Sequence, residues 1–200
     1  MTIKTIFVDV GGVLLTNGWD KDLRKKAADE FSLDWNSMQE RHLMVLEDYE
    51  TGRLSLEEYL DHVVFFTSRK FTKDDFKEYI FSHSKPHQEM IELMKSTKAR
   101  LGVKLAVLSN EGRELTQYRF EKFHFKEFID YFIVSGFVHL RKPDLRIYQL
   151  ALGLCQNKPE NVIYIDDRAE YMDAAESFGL QIIHHTSYET TKKRLDAIKK

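Results

Sequence analysis

The feature that most constrains the fold is the alternation of short apolar runs with longer amphipathic runs after Pro86. Apolar runs such as VKLAVLS and VIYID are each followed by residues with the apolar spacing of a helix, such as EGRELTQYRFEKF. Strands that alternate with helices are typical of βαβ units around a parallel sheet. Together with the β-branched apolar run from Thr5 to Val10, the pattern predicts an α/β fold. We expect a doubly wound, Rossmann-like parallel sheet of five strands.

A long helical segment interrupts this alternation after the first strand. From about Trp19 to Phe81, four runs carry helical spacing and no clear strand appears. Ser55 with Glu58 three residues later matches a capping box, which marks the start of one of these helices. The segment is therefore predicted to be an insertion over one face of the sheet. The expected division is a core of residues 1–15 plus 86–200 and an insertion of residues 16–85.

Charge and cysteine content exclude several classes of function. The chain has 30 Lys+Arg and 32 Asp+Glu, so no basic field is available to attract nucleic acid. A single cysteine excludes an intramolecular disulfide and a cysteine-based zinc site. The opening apolar run is too short for a membrane span and lacks a small-residue cleavage site. We expect a cytoplasmic protein without nucleic-acid or membrane partners; the sequence leaves its oligomeric state open.

Polar residues follow the predicted strands where each strand ends. In a doubly wound sheet, ligands bind beyond the carboxyl ends of the strands, at the point where the strand order reverses. Such residues alone are more often helix caps, turn residues or surface lysines. Here several occur in one set. They are Asp9 after the first strand, Ser109 and Asn110 after the second, Asp166 and Asp167 after the fourth, and Lys142 in a loop before a helix.

This combination of side chains suits phosphoryl transfer. Mg²⁺ prefers oxygen ligands and commonly takes one or two carboxylates together with substrate phosphate. A carboxylate can also attack phosphorus and form an aspartyl-phosphate. A hydroxyl and an ammonium group can hold the phosphoryl oxygens as their charge redistributes.

Four ordered motifs make the chain resemble the haloacid dehalogenase-like (HAD) hydrolase superfamily. They are IFVDVGGVLL, LAVLSN, RKPDLRIY and VIYIDDRAEYMDAAESFG. Each motif alone is weak, but all four fall in order on the expected elements, and the resemblance covers essentially the whole chain. It implies that the helical insertion is a mobile cap domain over the catalytic core.

The resemblance implies a Mg²⁺ site at the strand ends. Asp9 would be both the nucleophile and a metal ligand, and Asp167 would be the second carboxylate on the metal. Gly11 would supply its backbone carbonyl to the same ion. Asp166 would be a supporting acid outside the ligand set.

The resemblance also implies a phosphate clamp. Ser109, with Asn110 beside it, would bind the transferring phosphoryl group. Lys142 would neutralise the charge on the nucleophile and on the phosphoryl oxygens. The implied partner is a small phosphorylated metabolite.

One position departs from the usual phosphatase pattern. Most phosphatases of the family carry a second Asp two residues after the nucleophile, which protonates the leaving oxygen; this chain has Gly11. General acid–base catalysis is worth about 10²–10⁴-fold. A cap residue or water could supply the proton, and His42 is one candidate. Alternatively, the protein is a weak enzyme or binds a phosphorylated ligand without turnover.

A metal-independent 2-haloacid dehalogenase is the other hydrolase alternative. Such enzymes also use the first Asp and lack the second, and they cradle the halide with an Arg early in the cap. Arg24 or Arg41 could fill that place, although neither lies in a convincing local match. The motifs favour Mg²⁺-dependent hydrolysis of a small phosphomonoester, with sugar phosphates among the candidates.

Overall fold

Five parallel strands form a single sheet in this computed structural model, which describes residues 2–199. β1 lies at the centre, hydrogen-bonded to β2 on one side and β4 on the other. The predicted five-stranded doubly wound α/β fold is confirmed. In the spatial order β3-β2-β1-β4-β5, the strands are β1 (Thr5–Val8), β2 (Lys104–Ser109), β3 (Tyr131–Val134), β4 (Val162–Asp166) and β5 (Gln181–His184).

Ten α-helices join and flank these strands within residues 2–199. Four occupy the chain between β1 and the helix that leads into β2: α1 (Lys21–Glu30), α2 (Trp35–Glu50), α3 (Leu56–Val63) and α4 (Lys73–Ser82). The others are α5 (Gln88–Leu101), α6 (Arg113–Lys122), α7 (Ser135–Val138), α8 (Leu145–Cys155), α9 (Met172–Ser177) and α10 (Tyr188–Asp196). Short 3₁₀ turns cover Phe125–Glu127, Pro159–Asn161 and Ala169–Tyr171.

Both faces of the sheet are covered. Alternate side chains of a strand point to opposite faces, so Ile6 and Val8 pack into one hydrophobic cluster while Phe7 packs into another. The first cluster includes residues of α5 such as Met94, and the second includes residues of α8 such as Tyr148. Burial on both faces explains why the strands are continuous apolar runs in the sequence.

The four inserted helices pack around a third hydrophobic cluster, which Leu115 of α6 also joins. Tyr59 and Phe76 are fully buried in it. The predicted capping box is present, since Glu58 N donates to Ser55 Oγ and Ser55 N donates to Glu58 Oε2. This separate cluster is compatible with a cap, but the division into a core and a cap domain stays a prediction.

The chain leaves and re-enters the sheet region along two adjacent segments. Thr16 N donates to the carbonyl of Lys85, and the Thr16 hydroxyl donates to the carbonyl of His83. The two connections are thus tied together beside the carboxyl end of β1. Between residues 2 and 199, no helix is long and apolar enough to cross a membrane.

Candidate active site

The structure brings the predicted strand-end residues together at the carboxyl edge of the three central strands. Asp9 directly follows β1, Ser109 ends β2 and Asp166 ends β4. The β1 backbone continues into the site, since Asp9 N donates to the carbonyl of Ile165. Because β1 lies between β2 and β4, these residues meet at the point where the strand order reverses.

Lys142 enters this group from the loop before α8. Its side chain is only 1% exposed, and Nζ lies 3.1 Å from Asp9 Oδ1 and 2.5 Å from Asp166 Oδ2. Burial by itself would lower the pKa of Lys142, but the two carboxylates outweigh that effect and raise the pKa above its usual value. Lys142 is therefore a permanent buried cation, rather than a solvent-exposed lysine.

Asp166 is held by hydrogen bonds on both of its oxygens. Oδ2 accepts from Lys142 and from the Tyr164 hydroxyl, while Oδ1 accepts from the Arg168 backbone N–H at 2.9 Å. A carboxylate with this many donors orients its partners. The supporting role expected for Asp166 stays a prediction.

Carboxylate oxygens of Asp9 and Asp167 lie close together beside Asp166. Ligand oxygens from Asp9, Asp166 and Asp167 lie within 4.8 Å of one another. Oδ1 of Asp9 and Oδ1 of Asp167 are buried without a well-aligned hydrogen-bond donor, although Lys142 Nζ is close to the former. Buried polar atoms normally have partners, so these oxygens fit the coordination of a cation.

The Gly11-Gly12 turn adds to this fit. Among the described residues, no backbone N–H donates to the Gly11 carbonyl, because the turn is closed through Val10 and Gly12 instead. Gly12 has φ +75°, and a Cβ there would lie 2.2 Å from Asp167 Oδ2. A side chain at residue 12 would displace Asp167. The turn thus leaves both the carbonyl and the carboxylate available to a metal.

Burial raises the pKa of two of these acids. The pKa of Asp9 rises to about 6, because burial and the nearby Asp166 outweigh the attraction of Lys142. The pKa of Asp167 is raised by burial and by Asp166. Burial is the larger cause of both pKa shifts, and repulsion from the Asp166 carboxylate adds to it. A divalent cation would relieve that repulsion.

Ser109 and Asn110 take different places. Ser109 is buried and lines the cavity above Asp9. The Asn110 side chain forms a reciprocal pair with the Lys142 backbone, accepting from N at 2.8 Å and donating to O at 2.9 Å. Asn110 therefore positions the lysine loop, and phosphate binding by Ser109 and Asn110 stays a prediction.

The inserted helices close a cavity over these groups. The cavity encloses about 670 Å³, including its open mouth, and is lined by Asp9, Ser109 and Lys142 from the sheet edge and by Trp19, Asp20, His42, Leu46, Tyr49 and Glu50 from the insertion. Insertion and sheet edge are in close contact, since a Cβ on Gly112 would lie 2.4 Å from the Tyr49 ring.

Several charged residues near the site were not predicted from the sequence. Glu50, at the end of α2, forms an ion pair with Arg141 at 2.7 Å, beside Lys142. Glu111 and fully buried Arg119 form a second pair at 2.7 Å, and Arg119 also donates to Ser84 Oγ. In the sequence these are charges on amphipathic helices and in loops, which normally indicate solvent exposure. Arg168 also lines the cavity. The sequence did carry a signal for it, because it directly follows the acidic pair.

Neither arginine considered for a halide cradle lines the cavity. Arg24 is buried, donating to Gln39 Oε1 and to the Trp19 carbonyl. Arg41 lies over the Phe66 ring, 3.6 Å from its centroid. Both side chains stabilise the insertion itself.

Sequence comparison finds curated relatives of this chain, among them a bacterial and a mouse protein. The chain is 23% identical, over 189 residues, to a phosphorylated carbohydrates phosphatase from Thermotoga maritima, covering 91% of this chain and 84% of the relative. It is 32% identical over 97 residues to acyl-CoA dehydrogenase family member 10 from Mus musculus. That match covers 48% of this chain but only 9% of the mouse protein.

Solved structures share the fold at low sequence identity. A predicted HAD-like hydrolase from Porphyromonas gingivalis matches with TM-score 0.78 and 19% identity, covering all of both chains. A magnesium complex of a HAD family enzyme from Bacteroides thetaiotaomicron matches with TM-score 0.78 and 16% identity, over 92% of this chain and 93% of that one. L-2-haloacid dehalogenase from Xanthobacter autotrophicus, with covalently bound chloropropionic acid, matches with TM-score 0.65 and 15% identity, over 98% and 83%.

The family itself follows from a match to its sequence model. The family model described as haloacid dehalogenase-like hydrolase matches residues 3–179. This range includes every predicted site residue, from Asp9 to Asp167. The expected resemblance is thereby confirmed over most of the chain. This protein belongs to the haloacid dehalogenase-like hydrolases and is an enzyme of that family.

Proposed function

We propose that the protein hydrolyses a small phosphomonoester in a Mg²⁺-dependent reaction, through an aspartyl-phosphate formed on Asp9. The observation that carries the proposal is the cluster of buried carboxylate oxygens on Asp9 and Asp167, neither Oδ1 of which has a well-aligned hydrogen-bond donor, next to the Lys142 ammonium group. Three carboxylates facing one lysine leave an excess of negative charge. A divalent cation and a phosphoryl group together would balance it.

The residues that would hold the metal are Asp9, Asp167 and the carbonyl of Gly11. When bound, Mg²⁺ supplies positive charge that stabilises phosphoryl oxygens. The chain itself contributes Lys142, whose ammonium lies beside Asp9 and would accompany the phosphoryl group as it is transferred. Ser109 would donate its hydroxyl to the same group, because it lines the cavity at the end of β2.

The proposed reaction has two displacement steps at phosphorus. In the first, an Asp9 carboxylate oxygen bonds to phosphorus while the ester P–O bond breaks, and the leaving alkoxide takes a proton. In the second, water attacks the aspartyl-phosphate, which releases inorganic phosphate and restores the carboxylate. Gly11 carries no acid for the first proton, so water or a residue of the insertion must deliver it.

The insertion would act as the cap of this site. Several contacts hold it against the sheet edge, including the Glu50–Arg141 ion pair and the hydrogen bond at 2.7 Å between His139 Nδ1 and the Thr51 carbonyl. Opening of these contacts would admit the substrate, and closure would exclude bulk water. The named activity of the Thermotoga relative supports a phosphorylated carbohydrate as substrate. A cytoplasmic metabolite of that kind is our proposal.

A panel of phosphomonoesters, assayed for phosphate release with and without Mg²⁺, tests the proposal. We expect turnover that requires Mg²⁺ and that falls by roughly 10⁴-fold or more in Asp9→Asn, because the nucleophile is lost. Asp173→Asn, at an exposed position of α9, serves as the matched control and should keep full activity.

Other outcomes would contradict the proposal in distinct ways. Activity that survives Asp9→Asn would exclude Asp9 as the nucleophile. Metal-independent halide release from a 2-haloacid would establish the dehalogenase alternative. Mg²⁺-dependent binding of sugar phosphates without turnover would identify a non-catalytic binding protein.

A further inference from the structure

The wall that the insertion contributes to the cavity contains one buried histidine with an unused ring nitrogen. His42 lies on α2, is 2% exposed and lines the cavity together with Asp9 and Lys142. A ligand whose phosphoryl group lies at the sheet edge would therefore extend toward His42 with its other half. The inference below rests on the proposed function.

A chain of hydrogen bonds fixes which nitrogen of His42 carries the proton. Trp19 Nε1 can only donate, and it donates to Tyr59 Oη at 2.7 Å. The Tyr59 hydroxyl proton is then available to His42 Nδ1, which lies 2.7 Å from the same oxygen. All three groups are satisfied only if Nδ1 accepts. The proton of the neutral ring must consequently be on Nε2.

The ring is neutral as well as oriented. Burial, together with the nearby Arg24 cation, lowers the pKa of His42 to about 3. The Tyr59 ring stands edge-on to the imidazole, at 5.9 Å between ring centroids. His42 is thus an uncharged hydrogen-bond donor across the physiological pH range, and a poor proton-transfer acid.

Nε2 forms no hydrogen bond within residues 2–199, where Tyr59 is the partner of Nδ1. Because His42 lines the cavity, the Nε2–H donor is available to a ligand there. Nδ1 is occupied by Tyr59, so Nε2 is the ring nitrogen that remains for that purpose. It requires an acceptor oxygen.

The second polar group of this wall is a hydrogen-bond acceptor. Glu50 ends the same helix and lines the cavity, with its carboxylate held by Arg141. A carboxylate next to a neutral donor can accept hydrogen bonds from hydroxyls of the ligand. The aromatic rings of Trp19 and Tyr49 supply apolar surface beside it.

We propose that His42 is a specificity-determining residue that donates its Nε2–H to an uncharged oxygen of the substrate's alcohol half. The substrate class is then polyhydroxylated phosphomonoesters of the sugar phosphate type, in preference to phosphomonoesters whose alcohol half carries no hydroxyl. Tyr59 is the positioning residue that holds the imidazole in the donor tautomer.

The test compares glucose 6-phosphate with p-nitrophenyl phosphate, whose leaving group has no hydroxyl. In His42→Leu we expect KM for glucose 6-phosphate to rise about three- to tenfold, as for the loss of one hydrogen bond, with a smaller change in kcat. The preference for glucose 6-phosphate over p-nitrophenyl phosphate should fall accordingly. His42→Gln retains an N–H donor and should restore part of that preference. His62→Leu, at an exposed position of α3, is the control that leaves both activities unchanged.

Tyr59→Phe tests the positioning role by a readout other than activity. In the wild type at pH 7, nitrogen NMR of the His42 ring should show a protonated Nε2 and an unprotonated Nδ1. Loss of the hydroxyl should allow both tautomers and raise KM less than His42→Leu does. A ring protonated on Nδ1, or charged at pH 7, would overturn the inference. If His42→Leu fails to fold, His42→Gln and Tyr59→Phe still provide the test.

Binding measurements separate this inference from the proposed reaction. Asp9→Asn, with Mg²⁺ present, is titrated with glucose 6-phosphate, fructose 1,6-bisphosphate and 3-phosphoglycerate, with and without the His42 substitution. Stronger binding of the monophosphate that depends on His42 supports the inference even if the wild type shows no turnover. Hydrolysis and glucose 6-phosphate binding that are both insensitive to His42 contradict it while leaving the proposed reaction intact.

Discussion

The sheet edge and the inserted helices bury polar groups to the same degree but in opposite ways. Lys142 at the edge is 1% exposed and His42 in the insertion is 2% exposed. The partners of Lys142 are the carboxylates of Asp9 and Asp166, so its contacts are ion pairs. Around His42 the partners are the Tyr59 hydroxyl and, beyond it, the Trp19 indole, and the network is neutral.

The difference reflects which half of a substrate each region would meet. Desolvating a charge costs several kcal/mol, so a buried cluster of ions persists only where the charges compensate one another. The sheet edge has such compensation and would gain more from a metal and a phosphoryl group. Around His42 the insertion instead satisfies its polar groups by neutral hydrogen bonds over a hydrophobic cluster. Its buried Arg24 guanidinium is bound by the neutral oxygens of Gln39 and Trp19. Substitutions that remove charge should therefore have their largest effects at the edge.

Apart from loss of the nucleophile Asp9, the largest effect is expected from Lys142→Met, which keeps the approximate length of the side chain and removes its charge. Loss of a preorganised cation beside the reacting group should lower kcat by at least about 10²–10³-fold. Asp9 and Asp166 would lose their buried partner, which should lower the free energy of unfolding by about 3–5 kcal/mol. Phosphate release and urea unfolding measure the two effects.

Lys126→Met is the matched control for this substitution. Lys126 is exposed in the 3₁₀ turn after α6. Its replacement should leave kcat unchanged and change the free energy of unfolding by no more than about 0.5 kcal/mol. If Lys142→Met behaved like this control, charge compensation at the sheet edge would not be what organises the site.

A second prediction concerns the metal and the third carboxylate. Mg²⁺ at 100 times its Kd should raise the free energy of unfolding of the wild type by about 2.7 kcal/mol, because it binds only the folded protein. Asp167→Asn removes a charged ligand oxygen, so a higher Mg²⁺ concentration should be needed to reach the same stabilisation. Thermal melting at a series of Mg²⁺ concentrations measures both. Asp173→Asn should follow the wild type, and an unchanged Mg²⁺ response in Asp167→Asn would exclude that carboxylate from the site.

The sheet edge was largely predictable because parallel strands place distant residues together by a simple rule. Once Asp9, Ser109 and Asp166 were located at strand ends, the strand order alone brought them side by side. The turn glycines also carried information, since Gly12 adopts a positive φ where its Cβ would strike Asp167. What the rule could not give was the pairing within the group, such as that of Asn110 with the Lys142 backbone.

The wall of the insertion could not be predicted in this way. A histidine on an amphipathic helix is ordinarily a surface residue, and the spacing of α2 does not show that His42 faces a cavity. Its environment depends on Tyr59, which comes from the next helix, and on Trp19, which precedes α1. How the helices of an insertion pack is a tertiary property, so residues such as Glu50 and Arg141 gain their roles only in the folded chain.

A third prediction tests the contact between the two regions through a pair of glycines. In Gly112→Ala the new Cβ would lie 2.4 Å from the Tyr49 ring, which should cost about 1–3 kcal/mol of stability unless the insertion moves away. In the latter case KM should rise instead. Gly153→Ala on α8 meets no atom within 4 Å and should stabilise the protein by about 0.5–1 kcal/mol, since alanine favours the helix. Urea unfolding and substrate titration distinguish these results, and equal behaviour of the two variants would show that Tyr49 does not pack closely on Gly112.

The smallest effect should come from the titration of His42 in the neutral network. Its pKa is about 3 in the folded protein, because of burial and Arg24, against about 6.5 in the unfolded chain. The unfolded chain therefore binds more protons between these values, so the free energy of unfolding should fall as the pH drops below 6.5, by roughly 1 kcal/mol per pH unit. His42→Gln cannot take up this proton, so the difference in stability between the wild type and the variant should change by about 1 kcal/mol between pH 6.5 and 5.5. Urea unfolding at these two pH values measures it, with His62→Gln as the control, whose exposed side chain meets solvent in both states. A pH-independent difference between wild type and His42→Gln would mean that the imbalance in proton uptake does not exist, and that the insertion tolerates a charge as the sheet edge does.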